Sequence, residues 1–150
     1  MSDPSKLAEY AVSARAESET KTVVEARDFE FVVDEPPTIG GTDDGPNPVE
    51  YLLGAWAGCL NVVAHIVADE RDIVLDALDV ELSGGLDPRK FRGQSEEVRA
   101  GYQSIDVALE VETDADDAAL DAWLAEVERR CPVGDNITRE TPATVRVERR

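Results

Sequence analysis

Residues 40–68 of this 150-residue chain, GGTDDGPNPVEYLLGAWAGCLNVVAHIVA, carry its strongest structural pattern. It opens with a loop rich in glycine and aspartate and continues as a run that is apolar almost all round. Asn47 is a good N-cap, Pro48 suits the first helical position, and Glu50 stands at the third, as in a capping box. The pattern predicts a long helix over about 48–70, buried at the centre of the protein.

The apolar run of this helix approaches the length of a membrane span. Asn61 and His65 interrupt it and the sequence has no second such run, so a core helix is favoured over a membrane role. Gly54 and Gly58 form a face of small residues that allows another helix to approach closely. Because the chain has only one other obvious helical pattern, a second copy of the chain is the expected partner. We therefore expect a homodimer.

The rest of the chain alternates between strand-like and helix-like patterns. Strands are predicted at 7–17, 21–33, about 76–84, about 98–112 and 143–148, a Gly- and Pro-rich loop at 34–47, and a second helix at about 114–130. The sequence contains no internal repeat and no low-complexity linker. Strands mixed with helices in this order indicate one α+β domain over residues 1–150.

The charge of the chain excludes several classes of partner. It has 33 acidic and 15 basic residues, for a formal net charge of −18. Such a surface repels phosphate backbones and anionic lipids, so roles on nucleic acid or at a membrane are not expected. An acidic surface poor in lysine resembles that of proteins from a salt-rich cytoplasm. Residues 1–9 lack the apolar core of a signal peptide, so a cytoplasmic location is expected.

The two cysteines, Cys59 and Cys131, are too few for the disulfide framework of a small secreted protein. With a single histidine they also fall short of a structural zinc set, and phosphate-loop, dinucleotide-binding and serine-elbow motifs are lacking. No metal and no cofactor are therefore expected. On the residues alone, Cys59 can be a small apolar residue of a buried helix. Cys131 can be a buried thiol or the cap of a helical turn begun by Pro132.

The order of motifs resembles that of the OsmC (osmotically inducible protein C) family. Gly40–Leu60 looks like its signature, with a Gly-rich loop, a proline-initiated helix and a cysteine eleven residues after that proline. Asp34–Pro37 (DEPP) precedes the loop, and Arg129–Ile137 (RRCPVGDNI) carries the second cysteine. The resemblance covers most of residues 20–148. It implies mixed antiparallel strands around a long buried helix, in an intertwined homodimer with active sites at the subunit interface.

The resemblance also implies a chemistry, that of a thiol-dependent peroxidase. Cys59 attacks a hydroperoxide and becomes a sulfenic acid, and Cys131 condenses with it to a disulfide. A dithiol reductant, whose identity the sequence does not give, then restores both thiols. Burial in a helix interior raises the pKa of a thiol, so Cys59 needs a cation. In the peroxidases of the family an arginine on an N-terminal strand supplies it. The candidates are Arg15, which is favoured near the end of the first strand, and Arg27.

One position departs from the peroxidase branch of the family, in which a glutamate follows the helix-starting proline directly. This chain has Val49 there and the acid one residue later, at Glu50, which a helical step of about 100° points elsewhere. Glu50 is therefore a candidate for catalysis and a stronger one for helix capping. His65 is expected to be a satisfied histidine and not a base. Two other functions stay open, a redox-stress sensor and a binding protein for a small hydrophobic ligand.

Overall fold

The computed structural model describes residues 3–150 and contains five strands and four α-helices in that range. In chain order these are β1 (Ser13–Ala16), β2 (Thr22–Ala26), β3 (Phe29–Val33), α1 (Pro48–Glu70), β4 (Ala77–Leu86), α2 (Pro88–Phe91), β5 (Tyr102–Glu112), α3 (Asp117–Arg130) and α4 (Pro132–Thr138). Short 3-10 turns cover Pro4–Lys6 and Pro37–Ile39. Helices and antiparallel strands are mixed along the chain, which confirms the predicted α+β class.

The chain divides into two compact units, and the boundary falls within α1, between Leu52 and Leu53. The prediction of a single domain over residues 1–150 stays a prediction.

The N-terminal unit contains the antiparallel sheet β1-β2-β3. The sequence pattern predicted one strand over residues 21–33, and this is wrong. The structure has a hairpin, with Ala26 opposite Phe29 and a two-residue turn between them. Arg27 begins this turn with a φ of 55°, in the left-handed region. A polar Arg-Asp turn without glycine gives a weak turn signal, so the alternation of apolar residues on both sides looked continuous.

A buried carboxylate organises the loop that follows the hairpin. Asp34 is fully buried, and its Oδ2 accepts from the Thr42 hydroxyl at 2.6 Å and from the Asp44 N–H at 3.2 Å. These hydrogen bonds hold the pKa of Asp34 well below its usual value against the opposing effect of burial. Gly41 is required here, because a Cβ would lie 1.7 Å from the Glu35 carbonyl oxygen. The loop is therefore tightly packed and leads directly into α1.

Helix α1 begins with the predicted capping box. The Asn47 side chain accepts from the Glu50 N–H at 2.9 Å, and the Glu50 carboxylate accepts from the Asn47 N–H at 2.8 Å. At the end of the first turn, the Tyr51 hydroxyl donates to the Val32 carbonyl at 2.6 Å, and its ring lies 5.2 Å from that of Phe31. Sequence and structure agree on the bounds of this helix.

Helix α1 was predicted to be apolar almost all round and buried at the centre of the protein, and within the single chain it is buried on one face. The buried residues of the helix lie on one face; they are Leu60, Val63, Ala64, Val67 and Ala68. The opposite side exposes apolar residues such as Val62, at 57%, and Ile66, at 44%. Helix α1 is long and apolar enough to cross a membrane, and 28% of its most apolar 18-residue segment is buried within the protein. The single chain therefore leaves much of the apolar surface of α1 open.

The C-terminal unit packs α1 and α3 against the antiparallel pair β4-β5. The alternation predicted for the second of these strands is confirmed, because Val107, Leu109 and Val111 all pack against the core. Trp123 of α3 is 3% exposed and donates from Nε1 to the Ala64 carbonyl at 2.9 Å. This bond ties α3 to α1, so the core of the unit forms around the helix that carries Cys59.

Both ends of the described chain contain less regular structure than the pattern predicted. The first strand was predicted over residues 7–17, and the structure has only Ser13–Ala16. The predicted strand at 143–148 is wrong, because residues 140–150 form no helix or strand. Val145 and Val147 are more than 90% exposed there. An alternating segment becomes a strand only where another strand offers hydrogen bonds, and within the described chain this one pairs with none.

Candidate active site

The structure brings the two cysteines together in the C-terminal unit. Cys59 lies in the middle of α1 and is half-buried, whereas Cys131 lies between α3 and α4 and is 1% exposed. Their sulfurs are 3.1 Å apart, with the Cys131 S–H donating to the Cys59 sulfur. Both thiols are free. A disulfide requires about 2.05 Å between the sulfurs, so the two sulfurs need to move about 1 Å closer to form one once an oxidant has removed two electrons.

Two helices position Cys131. It ends α3 and is also the N-cap of α4, where Pro132 takes the first helical position. Its sulfur accepts from the Gly134 N–H at 3.4 Å. The prediction that Cys131 caps a turn begun by Pro132 is confirmed. The thiol is therefore held in place by the backbone turn as well as by burial.

The surroundings of Cys59 oppose its ionisation. Burial raises the pKa of the thiol, a hydrogen bond from the Val133 N–H lowers it, and the neighbouring Cys131 raises it again. None of these three influences is a cationic side chain. The backbone amide is the one that favours the thiolate.

The two candidate arginines lie in the N-terminal unit and differ in their surroundings. Arg15, on β1, is about half exposed and pairs with Glu25 at 3.0 Å and with Glu17 at 3.5 Å. Arg27 lies at the β2-β3 turn, with its guanidinium 5.0 Å from the centre of the Phe29 ring. Three carboxylates surround Arg15, since Glu30 also lies 3.8 Å away, so its guanidinium is the more firmly oriented of the two.

The other candidate residues have structural partners. Glu50 is fully used by the capping box of α1, as predicted, and Val49 precedes it in the first turn. The Nδ1–H of His65 donates to the Asn61 carbonyl of its own helix at 2.8 Å, as expected for a satisfied histidine. Among residues 3–150, no three His, Cys, Asp or Glu side chains are grouped so that they could hold a metal ion.

Two cavities of about 390 Å³ each lie in the C-terminal unit and share Trp56, Leu60 and Glu128. One is lined by Cys131 together with the arginines Arg129 and Arg139. The other extends along β5 and α3 over apolar side chains; these include Val107, Leu109, Leu120 and Leu124. The surface beside the thiol pair therefore has a charged part and an apolar part.

Three residues around the cysteines were missed by the sequence analysis: Trp56, Val133 and Gly134. Trp56 lies one helical turn before Cys59, and Gly134 is three residues after Cys131 in a turn begun by proline. Helical spacing places Trp56 and Cys59 on neighbouring positions of α1. The sequence shows this spacing along the helix. It does not show the contact between α1 and α4, because that contact depends on the tertiary fold.

The chain is similar over most of its length to proteins of one family. Residues 41–146 match the sequence profile of the OsmC-like protein family. The match covers more than half of the chain, so this protein belongs to the OsmC family. The resemblance found in the motifs is thereby confirmed. No match was found among curated protein sequences.

Solved structures of the same fold support this assignment. The OsmC-like protein of Mycoplasma pneumoniae superposes with a TM-score of 0.76 at 18% identity, over 87% of this chain and 88% of that chain. An organic hydroperoxide resistance protein OsmC of Legionella pneumophila has a TM-score of 0.62 at 22% identity, over 87% and 91% of the two chains. One from Elizabethkingia anophelis gives 0.63 at 19%, over 89% and 90%. At these identities the likeness shows the fold.

Proposed function

We propose that this protein is a thiol-dependent peroxidase that uses Cys59 as the nucleophile and Cys131 as the resolving thiol. The observation that carries the proposal is the 3.1 Å contact between a half-buried and a fully buried thiol. Membership of the OsmC family supports it, as does the naming of two relatives of the same fold as organic hydroperoxide resistance proteins. The specific peroxide is not part of the proposal.

The proposed reaction balances in three steps. The Cys59 thiolate attacks the outer oxygen of a hydroperoxide, the O–O bond breaks, and Cys59 becomes a sulfenic acid. The leaving alkoxide or hydroxide takes up the proton that the Cys59 thiol released on ionisation and departs as an alcohol or water. The Cys131 thiol then attacks that sulfur, which releases water and forms the disulfide. A dithiol reductant exchanges with the disulfide, restores both thiols and leaves as its own cyclic or protein-borne disulfide. The net reaction consumes one hydroperoxide and one dithiol.

The thiolate of Cys59 has to be stabilised for the first step, because burial raises the pKa of this thiol. We propose that Arg15 supplies the positive charge, with Arg27 as the second candidate. The carboxylates around Arg15 orient its guanidinium, which supports this choice. Replacing Arg15 by alanine is expected to slow alkylation of Cys59 at pH 7 more than the same change at Arg27. Equal rates for both variants and the wild type would exclude either arginine.

We further propose that the working form is a cytoplasmic homodimer. The exposed apolar face of α1, with Val62 and Ile66, and the open surface at Gly54 and Gly58 support this, since such a face is stable in water only when covered. A cytoplasmic dithiol pool fits the need for a reductant. Light scattering is expected to give twice the 16.3 kDa mass of the chain.

Steady-state turnover separates the peroxidase from the two other functions. With an organic hydroperoxide and excess dithiothreitol, the wild type is expected to consume peroxide, and Cys59→Ser is expected to be inactive. Cys131→Ser is the informative control, because it keeps the nucleophile and removes the resolving step. A disulfide that forms without turnover indicates a sensor. Inert cysteines in a protein that binds apolar ligands indicate a binding protein, for which the apolar cavity beside Trp56 is the candidate site.

A further inference from the structure

Gly134, in the first turn of α4, has no room for a side chain. It is buried, and a Cβ at this position would lie 2.9 Å from Nε1 and 3.4 Å from Cε2 of Trp56. Its φ is outside the left-handed region, which among the described glycines only Gly40 and Gly93 adopt. An alanine therefore suits the backbone of Gly134 and, as a better helix former, is expected to be favourable there. The glycine is explained by close packing against Trp56.

Trp56 cannot easily move away from this contact. Its indole packs against the core cluster of the C-terminal unit, and its Nε1–H is buried without a hydrogen-bond partner among the described residues. An unpaired buried donor is unfavourable, so such a group in a folded protein calls for an explanation. Trp56 Nε1 lies beside Gly134, 2.9 Å from where a Cβ at that position would be.

The same turn of α4 carries the two backbone amides that reach the sulfurs. The Val133 N–H lies close enough to the sulfur of Cys59 to lower the pKa of that thiol, and the Gly134 N–H donates to the sulfur of Cys131 at 3.4 Å. Because Trp56 and Cys59 lie one turn apart on α1, the distance between this turn of α4 and α1 also sets the distance from the Val133 amide to the sulfur of Cys59. A methyl group at position 134 would increase that distance.

We propose that Gly134 is a positioning residue: its contact with Trp56 keeps the first turn of α4 close to α1, so that the Val133 amide and the Cys131 sulfur both lie beside the sulfur of Cys59. This placement of the Val133 amide favours the ionised form of Cys59. This inference rests on the proposed function in one respect: a peroxidase needs the ionised form of Cys59. The effect of the Gly134–Trp56 contact on the ionisation of Cys59 can be measured without peroxide.

The test is the pH dependence of Cys59 alkylation by iodoacetamide, followed by mass spectrometry of the peptide that carries Cys59. Three variants are compared with the wild type: Gly134→Ala, Trp56→Phe and the double variant. We expect Gly134→Ala to move the midpoint of the profile to higher pH and to slow alkylation at pH 7 by roughly three- to tenfold, since one pKa unit is a factor of about ten in thiolate. The smaller phenylalanine ring leaves room for the added methyl group. The double variant is therefore expected to return to the midpoint of Trp56→Phe.

Several results would overturn the inference. A folded Gly134→Ala protein with the wild-type midpoint would show that the contact does not act on Cys59. If Gly134→Ala is unstable, the double variant decides, because relief of the clash must restore both folding and the midpoint. A double variant that folds but keeps the raised midpoint, or that still fails to fold, contradicts the account. This test uses iodoacetamide and not peroxide. Absence of peroxide turnover in the wild type would therefore contradict the proposed function but not this inference.

Discussion

For single residues, the main finding is that the fold brings the thiols of Cys59 and Cys131 into contact, and the proposed chemistry depends on this pair. The sequence identified both Cys59 and Cys131, and the spacing of Pro132 correctly indicated that Cys131 caps a turn. It could not indicate the 3.1 Å contact between sulfurs 72 positions apart, because such a contact is made by tertiary packing. For the same reason it missed Trp56 and Gly134, which control how closely the two segments approach.

Asp34 offers a test of the loop that precedes α1. Its pKa is lowered chiefly by the Thr42 hydroxyl, so its ionised form stabilises the folded state above the unfolded pKa of about 3.9. We expect Asp34→Asn to lower the melting temperature at pH 7. The difference from the wild type should shrink steadily as the pH falls from about 4 to about 2, toward the lower folded pKa. Thermal unfolding followed by circular dichroism between pH 2 and pH 7 measures this difference.

Two variants of the hydrogen-bond partner serve as controls for this prediction. Thr42→Ser keeps the hydroxyl that donates to Asp34 at 2.6 Å, and Thr42→Ala removes it. We expect the serine variant to behave like the wild type and the alanine variant to resemble Asp34→Asn. A difference between Asp34→Asn and the wild type that is constant from pH 2 to pH 7 would contradict the role of the ionised carboxylate.

At the scale of elements, the strong patterns were predicted and the weak ones were not. Helix α1 was placed correctly because a capping box and a long apolar run both mark it. The β2-β3 hairpin was read as one strand because its turn lacks glycine. The strand predicted at 143–148 has alternating residues but no strand to pair with in the described chain. Local sequence patterns therefore predicted the long helix correctly. They failed for strands, which form only where another strand supplies hydrogen bonds.

The capping box allows a test of what Glu50 does. Replacing Asn47 by alanine is expected to destabilise the protein by about 1 kcal/mol, because the Glu50 N–H loses its acceptor. Glu50→Ala should also destabilise it, whereas Glu50→Gln retains an oxygen that accepts from the Asn47 N–H. Urea unfolding measures each change. If Glu50→Gln is as stable as the wild type but loses peroxide turnover, Glu50 has a chemical role beyond capping.

At the scale of the whole molecule, the dominant feature is the charge of −18. Acidic residues face each other even within one strand pair, since Asp79 lies opposite Glu110 in the register of β4 and β5, with both side chains exposed. Like charges in directly opposed positions are destabilising, and dissolved salt screens them. Dissolved salt is therefore expected to reduce this repulsion.

This charge distribution predicts stabilisation by salt. We expect the melting temperature to rise from dilute buffer to about 1 M KCl, where the screening length is about 3 Å. Glu110→Lys places a cation opposite Asp79 and should raise the stability in dilute buffer by roughly 0.2–1 kcal/mol while reducing the effect of salt. A melting temperature that is the same at low and high salt would contradict this interpretation.

Whether Cys59 and Cys131 form a redox pair is tested by intact mass and thiol count after one equivalent of cumene hydroperoxide, in about 1 M salt, on the wild type, Cys59→Ser and Cys131→Ser. We expect the wild type to lose both thiols rapidly together with about 2 Da, as one disulfide forms. Cys59→Ser should be unchanged, and Cys131→Ser should gain about 16 Da as a sulfenic acid. If both wild-type thiols remain free in excess peroxide, Cys59 and Cys131 are not a redox pair and the proposed peroxidase function is wrong.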